Sequence, residues 1–318
     1  MLVHGPATVS RITIAALVAL ACAAGPAFGG KDAKRDAEVA PLWVEPKDLE
    51  SRDLFYGVGG KEQAPQAGAD YRYVSSDTSG HSHGYHVTGP DGRKWRVKLG
   101  DEAPSEIVVS RLLWAIGYYQ PALYYVSDWK LTGHGNEPTK PGRFRLGSDH
   151  ATEGEWSFAE NPFVGSRELH GLIAANLLFN NWDLAPSNNR VYRVKTKGDG
   201  ARLWYVAQDI GGTLGKTGLP IGTRNKIDDF ESQKYIREVK EGRVSFDYHG
   251  RHRGLLKDVT PEDVAWVCGL LARLSDQQLG DAFRAADYPD DLAARYIRKI
   301  KDKIHEGVAL GAPSGGTR

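Results

Sequence analysis

The run Asn180-Asn181-Trp182-Asp183-Leu184-Ala185-Pro186-Ser187-Asn188-Asn189 sets an acid and an amide five positions apart, with a proline between them. An aspartate in such a loop can take a proton from a hydroxyl, and an asparagine can hold a metal-bound phosphate. Downstream, the apolar run Leu203-Trp204-Tyr205-Val206-Ala207 ends at Gln208-Asp209-Ile210-Gly211-Gly212. Upstream, Lys98 sits near the end of Lys94-Trp95-Arg96-Val97-Lys98-Leu99, and Glu106 lies at the start of the next helical run. The connection containing Gly80, Ser82 and Gly84 could turn backbone N–H groups toward phosphates. A strand lysine, a helix glutamate, an Asp-x4-Asn loop and an Asp-x-Gly turn after a strand together make the parts needed for phosphoryl transfer from a magnesium nucleotide. Each part has a structural alternative: Asp, Asn, Pro and Ser are turn formers, a strand lysine usually faces solvent, and a first-turn acid suits a helix dipole.

The elements that must position these residues follow from periodicity. Glu168 to Phe179 reads as a helix, with Leu169, Leu172, Ile173 and Leu177 near one face. It delivers the polar loop, and the alternating Val191, Tyr192 and Val194 then read as a strand. Tyr71 to Val74, Tyr85 to Thr88 and Lys94 to Leu99 form a meander whose second turn carries the Asp91-Gly92 signature. In its third strand Trp95, Val97 and Leu99 share one face, so Arg96 and Lys98 share the other. A helix is expected from Pro104 to about Gly117, with Ser105 as its N-cap, and a further strand over Leu123 to Val126. Trp129 to Glu155 and most of Lys216 to Asp247 show no clear period. Thr260-Pro261-Glu262-Asp263 and Ser275-Asp276-Gln277-Gln278 open C-terminal helices. A sheet with one helix followed by a mostly helical half is an α+β pattern with two lobes.

The 318 residues carry a formal net charge of +1 and are 41% hydrophobic, which leaves no strong field for nucleic acid or an anionic surface. Residues 1–30 read as an exported leader: Arg11, an apolar run from Ile12 to Ala24, then small residues. The product would be periplasmic or extracellular. Leu20-Ala21-Cys22 also reads as an imperfect lipidation box, so Cys22 is the one route to a membrane anchor. Cys268 then remains alone in the mature chain, on an apolar helix, and makes no internal disulfide. His81, His83 and His86 form a rival cluster that could bind zinc or copper.

The loop Asn181 to Asn188, with Lys98 and Asp209-Ile210-Gly211, resembles the protein-kinase-like superfamily on its atypical side. Its Asn-Asp loop is similar to those of HipA-type bacterial kinases and phosphatidylinositol kinases. Trp95 to Gly100, Arg111 to Tyr118 and Ser275 to Asp287 resemble a group of exported bacterial proteins of unestablished function. That narrower likeness covers most of the mature chain, whereas the kinase motifs cover short patches. The resemblance implies a two-lobed protein-kinase-like fold, with a small antiparallel-sheet N-lobe over 70–131 and a mainly helical C-lobe over 132–312. Residues 31–69 would be a linker and extension, and 313–318 a tail. It implies ATP or another nucleoside triphosphate with Mg²⁺ or Mn²⁺ as cofactors. Lys98 would hold the α- and β-phosphates and Glu106 would orient it, while Gly80, Ser82 and Gly84 would cover the phosphates. Asp183 would be the catalytic base or hydroxyl positioner, and Asn188 and Asp209 would hold metal. The acceptor would be an unidentified hydroxyl on a protein, glycan, lipid or small molecule. The sequence departs from ordinary kinases in several places. Glu102 competes with Glu106, no His-Arg precedes Asp183, Ala185 stands where many kinases have Lys, and Ile210 replaces Phe. Two alternatives stay open: an inactive pseudokinase acting as a binding module, and a metal-binding protein built on the histidine loop.

Overall fold

Trp95, Val97 and Leu99 alternate with Arg96 and Lys98, and this period decides which side of the sheet is greasy and which can do chemistry. The computed structural model of the chain describes residues 37–78, 82–135, 139–147, 151–197, 200–219 and 221–312. The leader expected at 1–30, Gly80, His81 and the tail at 313–318 lie outside those residues. The strands are β1 (Glu38–Val39), β2 (Asp70–Asp77), β3 (Gly84–Thr88), β4 (Lys94–Leu99), β5 (Leu123–Val126), β6 (Lys130–Thr132), β7 (Gly142–Leu146), β8 (Ala151–Gly154), β9 (Asn189–Lys195), β10 (Ala201–Ala207), β11 (Ile236–Lys240) and β12 (Arg243–Phe246). The helices are α1 (Glu102–Ala115), α2 (Arg167–Leu178), α3 (Ile227–Ser232), α4 (Pro261–Leu271), α5 (Asp276–Arg284) and α6 (Asp290–Ala309).

Six strands form one sheet in the order β5-β7-β4-β3-β2-β6, antiparallel except where β6 runs parallel to β2. Tyr71, Val87, Trp95, Val97, Tyr124, Val126, Trp129 and Phe144 cluster as its apolar layer. Several of those rings meet edge to face, as Trp129 and Phe144 do at 5.0 Å between centroids. The sheet extends past residue 131, the boundary expected from sequence, because β7 lies between β5 and β4. A second sheet, β1-β10-β9-β8, carries β9, which follows the polar loop, and β10, which leads into Asp209. Lys216 to Asp247, which shows little period in the sequence, holds the short helix α3, overlapping the short helix expected near Phe230 to Glu238, and then the β11–β12 hairpin, which was not expected.

Helix α1 packs on β4, β5 and β7, and nearly all its side chains are buried. It starts at Glu102, earlier than expected: Pro104 lies in the first turn, where no N–H is required of it. Ser105 is therefore not the N-cap. Its hydroxyl donates to Glu102 O and to Gly211 O, at 3.1 and 3.0 Å. Gly117 ends this segment with φ +105°, as a residue without Cβ can. The apolar side chains of α1 join those of the remaining helices in the larger core, where α4 packs against both α2 and α6. Both C-terminal capping boxes form, Thr260 with Asp263 and Ser275 with Gln278. The chain is an α+β protein whose sheet-rich part precedes a mainly helical one.

Candidate active site

Lys98 leaves the polar face of β4, and two acids one turn apart on α1 converge on it. Its Nζ lies 3.1 Å from Glu102 Oε1, 3.4 Å from Glu106 Oε2 and 3.2 Å from Asp209 Oδ1. The contact with Asp209 spans 111 positions of sequence and joins the first sheet to the turn after β10. Lys98 therefore does not choose between Glu102 and Glu106. Burial works against its charge, but the carboxylates of Glu106 and Asp209 prevail and raise its pKa. The two glutamates differ in their other partners. Glu106 is 1% exposed and shares its Oε2 with Arg143 Nε at 3.3 Å. Glu102 also accepts from Ser82 Oγ at 2.5 Å and from Arg224 Nη1 at 2.6 Å.

Asp209 is held in the left-handed region at φ 52°, a conformation aspartate tolerates better than most residues. Burial opposes ionisation of its carboxyl. Lys98, Arg143 and Arg145 outweigh that and bring the pKa down to about 2 from 3.8. Gly211, two positions on, lies flush against α1. A Cβ there would meet Glu102 Cβ at 2.8 Å and Glu102 O at 3.0 Å. We expect Gly211→Ala to cost about 1–3 kcal/mol in urea unfolding, because helix backbone must move to admit the methyl. A cost near zero would mean that α1 yields freely at this point.

The polar loop is bound to the Asp209 segment at both ends: Trp182 N donates to Gly212 O at 3.2 Å, and Gln208 N donates to Asn188 O at 3.2 Å. Most of its asparagines are building material. Asn180 takes φ 56° after α2 and donates to Gly215 O. Asn181 donates to Asn176 Oδ1 and accepts from Asp183 N, and Asn189 donates to Trp156 O. Asn188 spends its amide nitrogen on Asp183 O at 2.9 Å, which leaves its amide oxygen as the atom that can meet a cation. The Asp183 carboxylate makes no ion pair or hydrogen bond among the described residues and is partly exposed. Lys303 of α6 reaches under the loop, donating to Leu178 O at 3.0 Å and to Asn180 Oδ1 at 2.7 Å.

The structure thus joins Lys98, Glu106 and Asp209 directly, and brings the Asp183–Asn188 loop alongside through backbone bonds. Ser82 joins the cluster through Glu102. Gly84 is the first residue of β3, paired with Lys98 and Asp77, where a side chain would collide with Val97 O. Its glycine is thus accounted for by strand packing. Gly80 lies outside the described residues, as does His81. His86 stands 4.0 Å from Asp77, an acid that also binds Arg96. Among the described residues no group of three or more His, Cys, Asp or Glu side chains is placed to hold a metal ion. Asp209 and Asn188 offer one carboxylate and one amide oxygen, a hard oxygen set that suits Mg²⁺ or Mn²⁺ only when phosphate oxygens complete the shell.

Three residues escaped the sequence reading: Arg143, Arg145 and Arg224. Arg143-Phe144-Arg145-Leu146 has the two-residue period of a strand, a signal present in the stretch that could not be assigned. Arg224 carried no local signal. It stacks 5.3 Å over the Trp182 ring while pairing with Glu102, 122 positions away.

The fold and site define an α+β protein in which a strand lysine, two helix acids and a turn aspartate form one largely buried ion cluster beside an Asp-x4-Asn loop. The chain is similar to the crystal structure of a Helicobacter pylori proinflammatory kinase, CtkA, with a TM-score of 0.38 and 9% identity over 76% of this chain and 98% of that one. No family model and no curated protein matches. A similarity this distant assigns no role to any residue.

Proposed function

We propose that the chain is an atypical kinase-like phosphotransferase, moving the γ-phosphate of a magnesium or manganese nucleotide to a hydroxyl acceptor. The observation that carries this reading is the contact between Lys98 and Asp209, 3.2 Å apart across 111 positions, with the Asp183–Asn188 loop bound to the same turn. Bound there, the metal nucleotide supplies the transferable group and the cation that neutralises it. Lys98 would bind phosphate oxygen, with Glu106 holding its ammonium in place. Asp209 and the Asn188 amide oxygen would hold the metal. Asp183, whose carboxylate is free of partners among the described residues, would accept the hydroxyl proton. The acceptor is a protein, glycan, lipid or small-molecule alcohol. An exported leader over residues 1–30, as expected from the sequence, would put the reaction outside the cytoplasm.

A second reading, a nucleotide-binding module without transfer, is favoured by the same contact. Lys98 and Asp209 occupy each other, so phosphate and metal must separate them. Two measurements decide between the readings. ATP with Mg²⁺ at a hundredfold excess over its Kd should stabilise the protein by about 2.7 kcal/mol, seen as a rise in Tm. Labelled γ-phosphate should then appear on the protein or on an added acceptor. Stabilisation without transfer under Mg²⁺ or Mn²⁺ makes it a binding module; neither effect ends the nucleotide reading.

A further inference from the structure

The polar face of the first sheet holds more positive charge than one lysine explains. Strands β4 and β7 are antiparallel, and their register sets Arg96 opposite Arg145 and Lys98 opposite Arg143. Like charges directly opposed across a ladder destabilise a sheet, so such a square of cations needs anions to hold it. Arg96 binds Asp77, and Lys98 has Glu102, Glu106 and Asp209. Glu102 is also shared with Arg224. Arg143 therefore depends on acids already in use, Glu106 at 3.3 Å and Asp209 at 3.7 Å. Arg145 has no ion-pair or hydrogen-bond partner among the described residues. The Nη1 atoms of both arginines are buried without a hydrogen-bond acceptor. Arg143 itself is 1% exposed. A buried guanidinium without an acceptor is costly, and the cost is relieved by an anion with oxygens enough for its fork.

We propose that Arg143 and Arg145, together with Lys98 on the neighbouring strand, form a three-cation cradle for the phosphate chain of a nucleoside triphosphate. This rests on the nucleotide reading above and goes beyond it, since it makes the phosphate chain rather than the base the main anchor. Two arginines spaced i, i+2 on one strand face present forks to successive phosphates, and bidentate Arg–phosphate pairs are among the stronger charge-assisted hydrogen bonds. Burial and the neighbouring Arg143 charge together depress the basicity of Arg145, and a bound polyanion would restore it. Carboxylates cannot serve as the permanent partner here: among the described residues the nearby ones are already committed to Lys98, Arg96 or Arg224.

The test uses calorimetric titration of the full chain with inorganic tripolyphosphate, ATP and adenosine. The wild type should bind tripolyphosphate and ATP, adenosine far more weakly. Arg145→Gln should weaken tripolyphosphate and ATP at least about tenfold, the effect of one lost charge-assisted pair, and leave adenosine unchanged. Without ligand, Arg145→Gln should melt close to the wild-type temperature, because the lost attraction to Asp209 is offset by relief of the repulsion from Arg143 and Arg96. Arg143→Lys keeps the charge, loses the fork, and should weaken both phosphate ligands severalfold while remaining folded. If the wild type binds ATP and Arg145→Gln binds tripolyphosphate and ATP with wild-type affinity, the cradle is wrong and the nucleotide site stands. A marked fall in the Tm of Arg145→Gln without ligand would also overturn it, showing a structural arginine. If the wild type binds neither ATP nor tripolyphosphate, the nucleotide reading falls and the cradle with it.

Discussion

Asp209→Asn is expected to abolish phosphoryl transfer, by a factor of about 10³ or more, because the metal that would neutralise phosphate charge would lose its carboxylate ligand. The change is nearly isosteric, so the turn after β10 keeps its shape, and asparagine tolerates the left-handed φ of 52° as well as aspartate does. What changes is charge: Lys98, Arg143 and Arg145 lose the acid they share. Nucleotide binding should consequently fall far less than transfer, since the cations that meet phosphate remain and one of them is released. Transfer is measured with labelled γ-phosphate and binding by calorimetry. Asp209→Asn protein that retains transfer within tenfold of wild type would remove Asp209 from the metal site. The carboxylate also leaves a signature in acid. Its pKa is lowered from 3.8 to about 2, so it contributes stability above about pH 4 and loses it as the pH falls through about 2. The contribution is on the order of 2 kcal/mol, and the acid limb of the unfolding curve should flatten in Asp209→Asn.

Glu106→Ala should be the most destabilising single change in the cluster, by about 3–5 kcal/mol, because it strands the buried cations that face it. Glu106 is 1% exposed and stands within 3.4 Å of both Lys98 Nζ and Arg143 Nε. Glu102→Ala removes an acid that also touches Lys98, yet at a smaller cost of about 1–2 kcal/mol. Lys98 would keep Glu106 and Asp209, and Arg224, with a fifth of its side chain exposed, can turn to water. Urea unfolding of the two variants side by side separates them. Equal losses would mean that the two acids are interchangeable and that the Glu106–Arg143 pair is not the deep one.

Much of the candidate site was legible because it is local. Asp183 and Asn188 lie on one loop between a helix and a strand of clear period, and Asp209 follows a run of apolar strand residues. The capping boxes at Thr260 and Ser275 were legible for the same reason, since donor and acceptor lie three positions apart. Ser105 misled because Pro104 resembles a helix start, whereas a first turn accepts proline and the helix begins at Glu102. β7 was obscured because Pro141, Gly142 and Gly147 crowd a strand of only five residues. Arg224 was illegible in principle. Its meaning lies in Glu102 and Trp182, and sequence distance hides both.

Lys303 has a consequence for the order in which the protein is made. A ribosome releases Asn180 to Asn189 early, yet the ammonium that caps α2 and holds Asn180 belongs to the last helix. The Asn180 end of the loop therefore gains these two hydrogen bonds only after α6 has emerged and docked. A nascent chain stalled before residue 303 would carry every proposed catalytic side chain and still lack the contact that holds Asn180 and the end of α2, so the proposed site would be completed late in synthesis.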